Sequence, residues 1–331
     1  MKYLKKITIV LSAVLMMSMF ASCAESAAPE QGAALDNVTV RVGSLSGPTT
    51  IGIVNLMNEV SAEGYEGTDY DFTMSTQPDE IAASLNAGNI DIALIPANLA
   101  SVLYNRTGGG ISVIDINTYG VLYCITADES ITSVSDLSGR TVITTGQGAT
   151  PEYAMNYLLA QYGVTDCTLD FKTEGAEVIA SLQEDPSQTA ILPQPAATAA
   201  CVQIEGFSPA FSLDEAWTEV TSDSRLVTGV TVARNEFIEE HPQAVAAFLA
   251  DHAASVLAAS EDVEKTAQLV VDLGIIGAVP VAQRAIPLCN IACVTGEQMR
   301  SDLEGYLTTL YESDPQSVGG ALPADDFYYP G

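Results

Sequence analysis

Short apolar runs typical of β-strands alternate along most of this chain with segments that carry helix signals. Residues 70–74 and 90–95 are two such runs, and the segment between them opens with Pro78 and two acidic residues. Proline at the first helical position and acidic side chains in the first turn favour a helix start, while Gly88 favours a helix end. Such alternation predicts an α/β fold with a largely parallel sheet.

The alternation occurs twice, with extended crossovers near residues 120 and 228. The other predicted strands or extended segments are residues 38–42, 111–127, 141–144, 169–172, 189–192 and 226–232. The other predicted helices are residues 47–61, a helix that begins at 96, and residues 150–162, 176–183, 195–202, 242–259, 263–273, 281–286 and 297–311. Beyond residue 232 only helices are predicted, the last with a capping box of Thr295 and Gln298.

The length of the chain, 331 residues, favours two lobes, because domains usually have about 100–200 residues. The order of the elements predicts that lobe I is formed by residues 37–121 plus 228–331. Lobe II is predicted at residues 122–227. The two lobes are expected to enclose a cleft and to be joined by the two extended crossovers.

The first 22 residues have the order of a secretory signal peptide. Three lysines precede an apolar stretch at residues 7–20, and two small residues close it. The stretch is shorter than the roughly 20 residues that a membrane-spanning helix requires. Residues 1–22 are therefore predicted to direct the chain out of the cytoplasm.

A cysteine follows the predicted signal peptide directly. The sequence Ala21-Ser22-Cys23 resembles the lipobox of bacterial lipoproteins, in which this cysteine is lipidated. The resemblance implies an extracytoplasmic protein anchored to the outer face of the cell membrane by lipid on Cys23. An ordinary signal peptide with a chance cysteine is the alternative. Residues 23–36 are small, polar and acidic, which is typical of a flexible tether.

The net charge of −30 excludes one class of partner. Removal of residues 1–22, which contain three lysines and no acidic residue, takes the net charge to −33. Such a surface repels nucleic acid and anionic lipid headgroups. No nucleic-acid partner is expected, contact with the membrane is expected only through the lipid anchor, and we expect a monomer.

Five further cysteines are an odd number, which does not fit a disulfide framework. Cys289 and Cys293 lie four residues apart, so they could pair or contact a metal ion. The sequence gives no sign of the remaining ligands. Burial as small apolar side chains is the expected role, and no metal site is predicted.

Three short passages occur in an order and at a spacing that are similar to those of a known family. They are AGNIDIA at residues 87–93, SDLSGRTV at 135–142, and GVTVAR at 229–234 followed by a helix from Pro242. The chain thus resembles the type II periplasmic-binding fold, and within it the nitrate, sulfonate, taurine and thiamine-precursor group of ABC solute-binding proteins. The resemblance implies a receptor that closes on a small molecule and delivers it to ABC permease and ATPase subunits.

Small, polar turns follow the predicted strands at the places where open α/β sheets bind ligands. Helix N-termini there present unpaired N–H groups and a positive dipole end to a polar solute. These turns and the sites that the resemblance implies together give the expected ligand-binding residues: Ser46, Gly47, Thr49, Gln77, Asn98 and Tyr119 in lobe I and Gly148, Ala149, Thr150 and Gln194 in lobe II. The alternative is that these are ordinary turn and cap residues.

These turns contain no Arg or Lys, so an anion would depend on backbone N–H groups. A neutral or zwitterionic solute is equally compatible. A cationic or heterocyclic solute stacked on Tyr119, Tyr123 or Tyr153 also stays open. The sequence does not distinguish among sulfonates, nitrate, taurine and pyrimidine precursors.

Motifs of catalysis are missing from the sequence. Gly146 and Gly148 lack the third glycine of a dinucleotide fingerprint, and no P-loop or nucleophile elbow occurs. His241 and His252 lie too far apart on one predicted helix to share a metal ion. No catalytic residue and no cofactor are expected. An enzyme on the same fold, acting on a small metabolite, is the alternative function. A cell-surface adhesion or sensor module is a third.

Overall fold

The strands of the protein form two separate sheets in a computed structural model that describes residues 38–221 and 224–331. All of these residues belong to one compact unit. In chain order the strands are β1 (Val40–Leu45), β2 (Tyr70–Ser75), β3 (Ile92–Pro96), β4 (Ile111–Tyr119), β5 (Leu122–Thr126), β6 (Thr141–Thr145), β7 (Thr168–Lys172), β8 (Thr189–Pro193), β9 (Ser208–Ser212), β10 (Val227–Arg234) and β11 (Ile291–Val294).

The helices pack on these sheets and fill most of the chain between strands. In chain order they are α1 (Pro48–Ile51), α2 (Val54–Val60), α3 (Pro78–Asn86), α4 (Ala97–Thr107), α5 (Thr150–Gln161), α6 (Gly175–Glu184), α7 (Ala196–Gln203), α8 (Leu213–Val220), α9 (Asn235–Glu240), α10 (Pro242–Glu261), α11 (Val263–Asp272), α12 (Val279–Ala285) and α13 (Gly296–Ser313). The predicted α/β fold with two lobes is confirmed.

The first sheet, sheet A, has the strand order β11-β4-β10-β3-β1-β2, and sheet B has the order β7-β6-β8-β5-β9. Neighbours among β1, β2 and β3 are parallel, and so are those among β6, β7 and β8. β4, β5, β9, β10 and β11 pair antiparallel with their neighbours. The expectation of a largely parallel sheet was therefore wrong: the strands next to the crossovers reverse direction, so both sheets are mixed.

β3 of sheet A and β8 of sheet B are mostly apolar because helices cover both of their faces. In sheet A, the side chains of Val40, Val42, Ile92 and Leu94 have no or almost no solvent exposure and pack under Phe248 of α10. The core of sheet B packs in the same way against α6 and α7.

Two strands were missed in the sequence, and the prediction of helices alone after residue 232 was wrong. β9 and β11 have only five and four residues, and each lies at the edge of its sheet. Edge strands are buried less completely and tolerate proline, such as Pro209 in β9. Their pairing partners, and not a local apolar pattern, make these segments strands. No pattern in the sequence predicted helices α8 and α9.

Two local predictions about helix ends were also wrong. Residues 47–61 form two helices, because a tight turn follows α1, in which the Ile53 N–H donates to Thr50 O, three residues earlier. Gly52, at this break, lies so close to the His252 ring that a Cβ atom would be 3.2 Å from Nε2. The predicted capping box at α13 does not form: the Thr295 side chain makes no cap bond, and Gln298 donates to Asp302 instead.

The predicted signal peptide at residues 1–22, the lipidation site Cys23 and the tether at residues 23–36 lie outside the described residues. The cysteines at 124, 167, 201, 289 and 293 are all unpaired, and Cys124 and Cys289 are buried. Within the described residues, none of the helices combines the length and apolar character needed to cross a bilayer.

A buried carboxylate joins three neighbouring strands of sheet A. Asp91, just before β3, accepts hydrogen bonds from Arg41 Nε at 2.8 Å and from Arg234 at 2.9 Å. Burial of Asp91 disfavours its ionisation, but the hydrogen bonds from the two arginines outweigh this effect and lower the pKa of the carboxyl group. This network ties β1 and β10 to β3 at the end of the sheet opposite the crossovers.

We expect Asp91→Asn to lower the free energy of unfolding by about 2 kcal/mol at neutral pH, since it breaks a buried charge network with one partly exposed arginine. Because the pKa of Asp91 is lowered in the folded protein, its contribution is present above the ordinary aspartate pKa of about 3.9 and is lost as pH falls below it. Urea unfolding at several pH values measures both effects. Asp170→Asn, which removes the exposed pair with Lys172, is the control and should change stability by less than about 1 kcal/mol. An equal loss in the two variants would contradict the role of Asp91.

Candidate functional site

The carboxyl ends of β1, β2 and β3 lie side by side at one edge of sheet A. Leu45 pairs with Ser75, and Ser44 pairs with Leu94. The turns that follow these strands carry the predicted residues of lobe I, which are Ser46, Gly47, Thr49, Gln77 and Asn98. Tyr119, at the end of β4, pairs with Val227 along the same edge. The structure therefore brings all six predicted lobe I residues to one edge.

The corresponding edge of sheet B carries the predicted residues of lobe II. β6 and β8 are parallel neighbours, so the turn after Thr145 lies beside the turn after Pro193. The first turn contains Gly148, Ala149 and Thr150, and the second contains Gln194. The N-termini of α5 and α7 are at this edge as well.

Only Gly120 and Val121 separate β4 of sheet A from β5 of sheet B. The Gln194 N–H donates to Val121 O at 2.9 Å, and Asn290 Nδ2 donates to Gly120 O at 2.6 Å. A chain that passes from one edge to the other in two residues places the two edges next to each other. The turns on both sheets consequently lie at the junction of the two sheets, which we call the gap.

On one side of this gap, α5 of lobe II contacts α13 of lobe I. Tyr306 of α13 is fully buried, and its hydroxyl group lies 3.4 Å from Thr150 Oγ1. Its ring also packs against Trp217 of α8, with ring centroids 5.7 Å apart. Trp217 packs in turn against Tyr157 of α5, at 4.6 Å. This aromatic group closes one flank of the gap.

On the other flank, α7 of lobe II contacts α12 of lobe I. A cavity of about 400 Å³ lies here between the two lobes. Its lining is mostly apolar: Pro195, Ala196, Ala199 and Gln203 from one lobe and Ile275, Ile276, Gly277, Ala278 and Val281 from the other. The gap between the sheet edges is thus bordered by two contacts and by the crossovers.

A cluster of charged side chains, the charged group, packs around the crossovers. The Arg225 guanidinium lies 3.8 Å from the centre of the Tyr119 ring and 2.9 Å from Asp214 Oδ2. Burial raises the pKa of Asp214, and the charge of Arg225 opposes this effect. The Tyr119 hydroxyl donates to Asp302 at 2.6 Å. Burial, together with this bond to a carboxylate, raises the pKa of Tyr119. Arg225 is therefore already neutralised by protein groups.

Among the described residues, two neutral buried polar atoms beside the crossovers have no hydrogen-bond partner, and neither does the charged group's Asp214 Oδ1. The two neutral atoms are Gln194 Nε2 in lobe II and Thr228 Oγ1 in lobe I. The other amide atom of Gln194, Oε1, accepts from the backbone N–H and the hydroxyl group of Thr198, so it caps α7. An unpaired buried donor is costly, typically by about 1–3 kcal/mol. Such atoms are suited to a partner that enters the gap.

The predicted ligand-binding residues differ in the hydrogen bonds and in the solvent exposure of their side chains. Thr49 donates to Leu45 O, and the side chains of Thr150 and Tyr119 face Tyr306 and Asp302. Ser46 and Asn98 are half-buried, whereas Gln77 and Gly148 are exposed. The Gly148 N–H already donates to Glu152 at 2.6 Å, so a carboxylate lies at the start of α5.

Sequence reasoning missed the residues that connect the lobes. Trp217 and Tyr306 lie on helices far apart in the chain, and their apolar surroundings look like those of any core residue. Arg225 and Asp214 fall in a segment for which no element was predicted. The only signal was that Trp217 is the single tryptophan of the chain.

Residues 52–286, more than half of the chain, match the family model described as ABC transporter, phosphonate, periplasmic substrate-binding protein. The chain belongs to this family. It is a periplasmic-type substrate-binding component of an ABC importer, whose role is to bind a small ligand and deliver it to the permease. The family and its structural relatives are substrate-binding proteins and not enzymes. No curated protein sequence matches the chain significantly.

Solved structures show the same fold. An ABC transporter protein from Parabacteroides distasonis is 20% identical, with a TM-score of 0.75 over 88% of this chain and 98% of that chain. The periplasmic aliphatic sulphonate binding protein SsuA from Escherichia coli is 15% identical, with a TM-score of 0.68 over 85% and 90%. The periplasmic nitrate-binding protein NrtA from Synechocystis PCC 6803 is 14% identical, with a TM-score of 0.50 over 70% and 65%.

Proposed function

We propose that this substrate-binding protein holds a small organic or oxyanion solute in the gap between its two lobes. Lobe I is formed by residues 37–121 plus 228–331 and lobe II by residues 122–227. The observation that carries the proposal is the meeting of two sheet edges, with unpaired Gln194 Nε2 and Thr228 Oγ1 beside the crossovers. The ligand contacts come from the turns after β1, β2, β3, β6 and β8.

Neutral hydrogen bonds and backbone N–H groups hold the solute in this proposal. The turns contain no Arg or Lys, Arg225 is paired with Asp214, and Glu152 lies at the start of α5. A phosphonate, a sulfonate or nitrate would therefore rely on helix N-termini, as anions do in many α/β proteins. Taurine and pyrimidine precursors, which carry no net charge, avoid the repulsion from Glu152. The site performs no catalysis.

The first residues of the sequence support a location outside the cytoplasm. We propose that the chain is exported, lipidated on Cys23, and held at the outer face of the cell membrane as a monomer by this anchor alone. Residues 23–36 link the anchor to the lobes. The ABC permease and ATPase subunits are the partners that receive the solute.

We expect one of these solutes to stabilise the purified protein, by about 2.7 kcal/mol at a concentration 100 times its Kd. Thermal-shift screening with phosphonates, alkanesulfonates, nitrate, taurine and pyrimidines identifies it. Ala149→Arg should abolish this shift, because the backbone of Ala149 is extended and its side chain, lengthened to arginine, would fill the gap.

The matched control is Thr141→Arg, at the exposed far end of β6, about 13 Å from the turn at the strand rise of about 3.3 Å per residue. It should bind the solute as the wild type does. Wild-type affinity in Ala149→Arg would remove the α5 turn from the site.

Thr228→Val tests the lobe I side of the site at the level of one atom. Thr228 Oγ1 has no partner among the described residues, so its loss should leave the free energy of unfolding unchanged or raise it. If the hydroxyl group binds the solute, affinity falls about tenfold, which corresponds to about 1.4 kcal/mol. Isothermal titration calorimetry and urea unfolding measure the two quantities.

The control for this variant is Thr231→Val, whose hydroxyl group donates to buried Asp115. It should lower stability by about 1–3 kcal/mol without changing affinity. The reverse pattern, with stability lost in Thr228→Val and affinity kept, would show that the hydroxyl group serves the fold and not the ligand.

Cys23→Ser should move the protein from the membrane fraction to the soluble extracytoplasmic fraction of expressing cells, because no acyl chain can then be attached. Two or more acyl chains are needed for stable anchoring, so the effect should be close to complete. Ser22→Ala, which keeps a small residue before Cys23, should stay in the membrane fraction. Retention of the Cys23→Ser variant at the membrane would exclude a lipid anchor at this residue.

A further inference from the structure

Three metal-ligand side chains converge inside lobe I, away from the gap between the lobes. Asp115 lies on β4, His252 on α10 and Cys293 on β11, and their ligand atoms all lie within 4.8 Å of one another. Asp115 and His252 have no solvent exposure, and Cys293 is half-buried. Three separate elements, distant in sequence, thus contribute one carboxylate, one imidazole and one thiol.

The hydrogen bonds within the protein leave this cluster incompletely satisfied. His252 Nδ1 lies 3.1 Å from Asp115 Oδ2, and the other carboxylate oxygen accepts from Thr231 at 2.9 Å. The Cys293 thiol donates a long hydrogen bond of 3.7 Å to Leu249 O. His252 Nε2, which faces Gly52, has no partner among the described residues. The carboxylate is thus hydrogen-bonded at both oxygens, while the thiol beside it makes only this weak bond.

We propose that Asp115, His252 and Cys293 bind a Zn²⁺ ion that joins β4, α10 and β11 within lobe I. The mixture of oxygen, nitrogen and sulfur ligands is one that Zn²⁺ accepts readily. An ionised carboxylate and a thiolate neutralise the ion, so the bound site has no net charge, as a position without solvent exposure requires. The fourth ligand of a four-coordinate ion is the second Asp115 oxygen or a water molecule.

The distance between Asp115 and His252 is close to that of a bound site. Two ligands about 2.0–2.1 Å from zinc in tetrahedral geometry lie about 3.3 Å apart. The separation of 3.1 Å between His252 Nδ1 and Asp115 Oδ2 therefore needs only a small adjustment. That distance also suits a hydrogen bond between the two groups. Cys293 Sγ lies within 4.8 Å of the other two ligand atoms and must lie about 3.6 Å from each of them to bind the same ion.

Binding replaces the proton of the thiol. Burial, together with the nearby Asp115 carboxylate, raises the pKa of Cys293, so without a cation the thiol stays protonated. Zinc forms the bond to sulfur while the proton leaves to solvent, and no oxidant or reductant takes part. His252 binds through Nδ1 as the neutral imidazole.

Cobalt is the probe, because a cobalt–thiolate bond gives a near-ultraviolet charge-transfer band that carboxylate or imidazole binding does not give. Because the site is buried, the full chain is first unfolded in denaturant that contains a chelator, and it is then refolded with Co²⁺. We expect the band to saturate at about one equivalent per chain, because the cluster offers one set of ligands. Refolding with Zn²⁺ should raise the melting temperature above that of the metal-free protein.

Cys293→Ser should lose both the band and the rise in melting temperature. Cys289→Ser is the matched control, since Cys289 is a buried cysteine four residues away that is not part of the cluster. It should keep both. His252→Gln should lose the zinc-dependent rise.

No thiolate band in the wild type, or an equal band in Cys293→Ser, would overturn the proposal. If Cys293→Ser does not fold, elemental analysis of the refolded wild-type protein decides: zinc retained through gel filtration supports the site, and its loss refutes it. Cobalt bound only to acidic surface groups gives no thiolate band and counts against the site.

Discussion

The antiparallel pairing of β4 with β10 is the constraint on which the two-lobed structure depends. Tyr119 at the end of β4 lies opposite Val227 at the start of β10, so the chain leaves and re-enters lobe I at the same place. In the first crossover, only two residues separate β4 from β5. One of them, Gly120, packs so tightly that an added Cβ atom would lie 2.7 Å from Asp214. The return path runs through α8. The two crossovers form one narrow neck between the lobes, which orients both sheets. It places the strand ends of sheet A next to the strand ends of sheet B.

The polar groups near this neck are of two kinds. Charged groups, such as Arg225, Asp214 and Asp302, are bound to each other or to Tyr119 and serve the packing of the crossovers, although Asp214 Oδ1 has no partner among the described residues. Neutral groups, such as Gln194 and Thr228, retain unused hydrogen-bonding capacity. Selectivity in such a site would come from shape and from the direction of a few hydrogen bonds. The strongly acidic surface would give an anion no electrostatic guidance.

Local signals in the sequence were sufficient for most of the fold and for the position of the turns at the gap. Strands such as β3 and β8 are mostly apolar because both faces are covered, and helices such as α3 and α10 begin with proline. The edge strands β9 and β11 have no comparable pattern, since their partners define them. The same limit applies to the sites. A turn after a strand is visible locally, but the contact of Trp217 with Tyr306, or of Cys293 with Asp115 and His252, exists only after folding. From the sequence, Cys293 could therefore be grouped only with Cys289, four residues away.

The location of Trp217 has a practical consequence. It is the only tryptophan in the chain, its indole ring is fully buried, and it contacts Tyr306 from the opposite lobe. Any separation of the lobes on this flank would admit water to the ring, which shifts indole emission to longer wavelength. The protein thus contains a natural optical probe, and the rate of opening can be followed in stopped flow without attaching a dye.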